Sequence, residues 1–320
     1  MTISSKNLKV VILGLSSVLM MGAGQTAFAH ASILNAINSG ATGFSRVGVN
    51  HADNHTTPPT PIVAQSVVFP TVNSIFGRTP ADPNGAPIVA LGDFFTTDKT
   101  SAANGTRSTT SATGVVTNNE WIVANSPQLV QSKDIFALQI EQANAANKTI
   151  GWVSTKGVLQ VNLHGEVPFR FAAPHFRSVL PSVNPNGLKD ADLCVSQLVI
   201  YVAVADIANP NPQPPFSAAD PAGAPGSETS GIGYNLWIDN NTPGLANSAF
   251  PPQVTENGAD TTKLTINRDP LVNPYPTNCA LAGTGGTDPA FAITIKPSAD
   301  DINALQFPGW GALANGNTLR

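Results

Sequence analysis

The chain has 320 residues, 42% apolar and 11% charged, with 27 glycines and 27 prolines. This is turn-rich but well short of an unstructured polymer, so a folded core is expected. Lys and Arg number 16 against 20 for Asp and Glu, so there is no basic excess to neutralise phosphates, and no nucleic acid is expected as a partner.

In chain order, the first signal is Lys6 and Lys9 ahead of an apolar run from Val10 to Gly24, followed by Ala27-Phe28-Ala29. A basic start, an apolar run of about 15 residues and a small-x-small box read as a secretory signal peptide over 1–29, since a spanning helix needs ~20. A retained membrane anchor is the competing reading. Cleavage after Ala29 starts the mature chain at His30, whereas the box Ala29-His30-Ala31 starts it at Ser32. Losing both lysines takes the net charge from −4 to −6. The expectation is an exported protein, periplasmic, extracellular or at the cell surface, with no transmembrane span after signal removal.

Residues 30–60 read as an extended, histidine-containing segment, and 61–320 as a single all-β domain. Runs rich in Val, Ile, Thr and aromatic residues predict strands at 61–69, 86–95, 114–124, 149–154, 158–164, 167–171, 193–205, 234–239, 263–267 and 291–296. The best helical candidate is 133–147, but Phe136, Leu138 and Ile140 fit a strand equally well. Asp82-Pro83-Asn84-Gly85, Asn184-Pro185-Asn186-Gly187 and Asn257-Gly258 are turn sequences. Segments 96–113 and 209–230 are long polar or proline-rich loops. Together these features predict an elaborated β-sandwich or barrel-like set of antiparallel sheets with long Pro/Gly/Asn-rich loops and little helix. Two sandwiches divided near 209–230 are the alternative.

The two cysteines, Cys194 and Cys279, are expected to pair in an oxidising compartment. Their bridge would span that possible divide, and closing so long a loop is worth on the order of 4 kcal/mol. A pair of metal thiolates is the competing reading, and no C-x-x-C supports it. No G-x-S-x-G, H-E-x-x-H, G-x-x-x-x-G-K-[ST] or complete calcium loop occurs. The glycine clusters at 283–286 and 309–311 read as turns. Asp190/Asp192 and Asp300/Asp301 are local carboxylate pairs expected on the solvated surface, and Asp239-Asn240-Asn241 reads as a hairpin turn rather than a calcium site.

Histidine is the informative residue type, with five in the chain: His30, His51, His55, His164 and His175. In His51-Ala52-Asp53-Asn54-His55 an extended backbone puts both imidazoles and the carboxylate on one face. The competing reading is a polar loop with incidental histidines. His164 and Glu166 share a face on a strand, unless Gly165 turns the chain, giving a metal ligand with an oxygen neighbour or a structural histidine held by a carboxylate. The candidate metal ligands are therefore His30, His51, His55, His164, Glu166 and His175. Imidazole with carboxylate suits copper, zinc, nickel or iron, and a free N-terminal His30 adds an amine nitrogen to its ring.

The mature start His30-Ala31-Ser32-Ile33-Leu34 resembles the opening of periplasmic copper-resistance proteins of the copper-binding β-sandwich type. An N-terminal histidine is also similar to that of copper monooxygenases with a histidine brace. The resemblance implies copper as cofactor and His30 as its amine-plus-imidazole ligand, and it extends to no other residue.

Trp121, Trp152 and Trp237 lie among Val or Ile and are expected in the core, while glycine-flanked Trp310 is the one expected to be exposed and able to stack on a sugar ring. The resulting reading is an exported, non-enzymatic binding protein that takes copper or another transition metal through histidines. The alternatives are a structural or adhesive cell-surface protein without metal, with a protein or polysaccharide surface as partner, and a copper-dependent oxidase using His30.

Overall fold

A computed structural model describes residues 32–49, 61–70, 75–82, 85, 88, 90–105, 127–143, 149–160, 163–182, 184, 186–207, 234–237, 262–283 and 285–297. The fold is all-β and sandwich-like, built mostly of antiparallel sheets, and among the described residues no sheet closes into a barrel. The strands are β1 (Ile33–Leu34), β2 (Ile37–Asn38), β3 (Thr42–Val49), β4 (Ala64–Val68), β5 (Ile75–Thr79), β6 (Phe95–Thr96), β7 (Gln128–Leu129), β8 (Phe136–Ala143), β9 (Thr149–Gly157), β10 (Gly165–Ala172), β11 (His175–Phe176), β12 (Val195–Tyr201), β13 (Ala203–Ile207), β14 (Tyr234–Trp237), β15 (Lys263–Asn267) and β16 (Phe291–Lys296). Among the described residues the one α-helix, α1, spans Lys99–Asn104.

Three larger sheets have the orders β1-β3-β10-β7, β2-β15-β12-β16-β5 and β14-β13-β4-β9-β8, and β11 and β6 form a short ribbon. Alternation along β15 and β16 sends Leu264, Ile266, Phe291, Ile293 and Ile295 inward, as a strand half-covered by a second layer requires. The inner faces meet in one apolar cluster. There Trp152 of β9 lies 5.4 Å from the Phe169 ring of β10, and Phe69 lies 5.8 Å from the same ring. Trp152 thus packs in the core as its sequence context implies, whereas Trp121 and Trp310 lie outside the described residues.

Strands at 263–267 and 291–296 appear where the sequence puts them. The segment left open between helix and strand is β8, paired to β9. Three expectations need correction. The described residues of 158–164 form no strand: Leu159 makes an isolated bridge to Ile62, and His164 lies just ahead of β10. The strand expected over 86–95 is not seen at the described residues 90–94: Leu91–Asp93 is a 3₁₀ turn before β6. Leu91, Phe94 and Phe95 are all buried, and adjacent inward side chains such as Phe94 and Phe95 are incompatible with strand alternation. Residues 193–205 are not one strand either. The chain leaves one sheet after β12 and enters another at β13, with Val202 donating to the carbonyl of Thr262 at 2.9 Å between them.

The polar segment 96–113 contains α1, because Asp98 accepts from Ser101 N at 2.7 Å as N-cap and Gly105 closes the other end at φ 74°. The Asn184 turn forms as its chemistry implies, with Gly187 at φ 65° donating to the Asn184 carbonyl. The segments 114–124, 209–230, 239–241, 257–258, 300–301 and 309–311 fall outside the described residues, as does 1–29. No helix among the described residues is long and apolar enough to cross a membrane.

Candidate functional site

The pairing of β3 with β10 builds the first cluster. Val49 lies opposite Gly165 and Gly48 opposite Glu166, so Arg46, Gly48 and Glu166 share the outer face. His164 directly precedes β10 and points along that face. Its Nε2 lies 3.8 Å from Glu166 Oε1, while Glu166 Oε2 accepts from Arg46 Nη1 at 2.7 Å. Gly165 opens β10 in an extended conformation and makes no turn, so Glu166 on the strand and His164 just ahead of it come together. His164 is half exposed, and Glu166 less so, at 29%.

Gly48 makes room for this arrangement. A Cβ there would lie 3.3 Å from His164 Cε1 and 3.4 Å from the Ser32 carbonyl. The same glycine donates its N–H to the Ser32 carbonyl at 2.7 Å. The first described residue of the chain therefore lies against the same glycine as His164. The Arg46 guanidinium holds Glu166 in place and neutralises part of its charge, so Glu166 suits an orienting role beside the imidazole. The alternation of Arg46 with buried Val47 and Val49 was the sequence signal for this strand. It was diluted by Gly43 and Gly48.

His175 lies at the opposite end of the same strand pair. Its ring stacks over Gly40, where a Cβ would sit 2.3 Å from Cε1, and Nδ1 lies 3.2 Å from Asn273 Nδ2. Burial pushes this imidazole below its ordinary pKa; the bond with Asn273 and the nearby Asp98 carboxylate oppose that shift, and Lys99 adds to it. The length of β3, about 24 Å at ~3.4 Å per residue, separates this end from His164. His164 and His175 therefore belong to different places, and one ion cannot take both. His30, His51 and His55 lie outside the described residues, and among the described residues no group of three or more His, Cys, Asp or Glu could hold a metal ion.

Cys194 and Cys279 form a disulfide with Cα atoms 5.5 Å apart, both fully buried, which leaves no thiolate for a metal. The bridge ties the start of β12 to the 3₁₀ turn Ala280–Ala282. That turn ends at Gly283, φ 69°, in the expected glycine turn.

The carboxylate pair Asp190/Asp192 corrects another expectation. Asp192 is 3% exposed: its Oδ1 accepts from Arg78 Nη2 and its Oδ2 from Lys189 N, each at 2.8 Å. Arg78 lies 114 residues away in the chain, so no local pattern announces the pair. Two buried arginines were equally illegible. Arg177 donates from Nε to Gly92 O at 2.9 Å and from Nη1 to Ser101 O at 3.1 Å. Arg268 donates to the carbonyls of Leu193, Val195, Arg177, Asn273 and Pro274. Burial lowers its pKa to about 10.

Compared with known protein families, with curated proteins and with solved structures, the chain matches none.

Proposed function

We propose that the chain is an exported binding protein for a transition-metal ion, copper first, held at the His164 end of the β1–β3–β10 sheet. The observation that carries this reading is the contact of Ser32 and His164 with the same residue, Gly48. Two peptide units separate His30 from Ser32, so chain length alone keeps their Cα atoms within about 7 Å. His51 follows Val49, the last residue of β3, by the same interval. An N-terminal amine, its own imidazole and the His164 ring thus fall within reach of one ion, and Glu166 orients His164. Nitrogen-rich sets of this kind favour copper among divalent ions. The buried disulfide agrees with an oxidising compartment.

The test is metal analysis of protein isolated from the exported fraction, together with intact mass. The expected result is one copper per chain on a protein beginning at His30. His164→Ala should weaken binding sharply, Glu166→Gln about 10–100-fold, and His175→Ala not at all. A chain starting at Ser32, or copper affinity indifferent to His164, overturns the reading and leaves a structural surface protein.

A further inference from the structure

Away from the histidines, a cleft of about 390 Å³ opens between the edge strand β5, the start of β16 and the 3₁₀ turn Asp190–Leu193. That volume lies within the range of small-molecule sites, which are concave, mostly apolar and fitted with a few polar groups. The wall here is supplied by Pro80, Ala81, Pro289, Ala290 and Phe291, and four charged side chains, two of each sign, line the same space: Arg78, Lys189, Asp82 and Asp192.

The four charges are not equivalent. Arg78 is fixed on its inner side, with Nη2 bonded to Asp192 at 2.8 Å and its guanidinium carbon 3.8 Å above the Phe291 ring. Its outer nitrogen, Nη1, reaches Asp82 Oδ2 only at 3.4 Å, long for a charge-assisted bond. The Asp82 side chain is 47% exposed, and Lys189 is exposed as well. Gly85 is drawn close against the guanidinium, where a Cβ would lie 2.2 Å from Nη1, and the Arg78 side chain meets the cleft with only 10% of its surface exposed. The inner pair is therefore a rigid base, and the Nη1 edge, Asp82 and Lys189 form a polar lip of both signs.

Such a lip discriminates by charge pattern. A ligand with only a negative charge meets Asp82, and one with only a positive charge meets Lys189. A molecule carrying both charges on neighbouring atoms finds a partner for each. We propose that this cleft binds a small zwitterion, an α-amino acid with an apolar side chain. Its carboxylate lies between Arg78 Nη1 and Lys189, its ammonium at Asp82, and its side chain on the Pro80–Pro289–Ala290 wall. The site is independent of metal binding, and its test does not touch the histidines.

The experiment is calorimetric titration of the full-length oxidised protein with L-leucine, leucinamide and N-acetyl-leucine. Leucine is expected to bind saturably with one site per chain, and the two derivatives, each keeping one charge, at least about tenfold more weakly. Asp82→Asn and Lys189→Gln each remove an exposed charge and are expected to weaken leucine binding about tenfold with the melting temperature unchanged. Arg78 is left intact, because its loss would strand the buried Asp192. Absence of saturable leucine binding, equal binding of either derivative, or indifference to both substitutions overturns the proposal.

Discussion

The guanidinium carbon of Arg268 lies 4.5 Å from the centre of the Tyr275 ring, on a side chain whose nitrogens bond five main-chain carbonyls. These carbonyls come from the chain entering β12, the residue after β11 and Arg268's own loop after β15, so one cation ties its loop to two segments 73–91 residues earlier. Replacing it with Met would leave buried acceptors unpaired, at about 1–3 kcal/mol for each one that water cannot reach. Arg268→Met is expected to destabilise by at least about 3 kcal/mol in urea unfolding, and Arg268→Lys by less, because an ammonium has three donors where the guanidinium fork has five. Equal stability of Arg268→Met and the parent would contradict this role.

The disulfide makes the second prediction. Its sequence separation of 85 residues corresponds to about 4 kcal/mol in the loop-entropy model. Intact mass of the folded protein should be two hydrogens below that of the dithiol. The double variant Cys194→Ala/Cys279→Ala should unfold at a markedly lower denaturant midpoint, and free thiols at both positions in the folded protein would refute the bridge.

His175 supplies a pH dependence. Burial depresses its folded pKa below the unfolded value of 6.5, so below that value the unfolded chain takes up a proton that the folded one resists. Stability attributable to this residue is complete above pH 6.5 and falls as the pH drops through it, levelling off once the folded imidazole also titrates. Thermal unfolding between pH 7.5 and 5 should show this decline, and His175→Gln should flatten it. A parallel pH profile in the variant would remove His175 as its source.

The aromatic centre of the core is the fourth case. Trp152 is fully buried between Phe69 and Phe169, with ring centroids 5.5 and 5.4 Å away. Trp152→Phe keeps an aromatic ring in that space, whereas Trp152→Ala opens a cavity costing about 3–5 kcal/mol. The predicted order in chemical denaturation is parent, Phe, Ala. An Ala variant as stable as the Phe variant would mean that the ring does not hold the two sheets together.

Strands whose own residues alternate cleanly between turn sequences could be read directly, as in β15 and β16. β3 could not, because Gly43 and Gly48 interrupt its pattern and exposed Phe44 beside buried Ser45 reverses it, and eight consecutive pairings to β10, far along the chain, define it. The 3₁₀ turn at Leu91–Asp93 sits between apolar residues, Ala90 and Phe94-Phe95, that read as a strand, although Gly92 and Asp93 are poor strand formers. The turn closes through Asp93 N–H to Ala90 O and Phe94 N–H to Leu91 O, and the distant Arg177 holds it by donating from Nε to Gly92 O at 2.9 Å. For the site, the i, i+2 spacing of His164 and Glu166 allowed their nearness, and the extended backbone at Gly165 decided it. The distance between His164 and His175 and the burial of Asp192 beside Arg78 depend on which strands pair, and spacing along the chain carries no such information.

The sheet β2-β15-β12-β16-β5 joins strands from Ile37 to Lys296, and its central strand β12 runs parallel to β16. During synthesis from the N-terminus, β5 and β12 are complete long before β16, which must lie between them. Until then each has an open edge toward the missing strand, a surface prone to pairing with other chains. The order of strands therefore makes assembly of this sheet a late event, and a chain truncated before residue 291 is expected to aggregate rather than to fold as a smaller version of the protein.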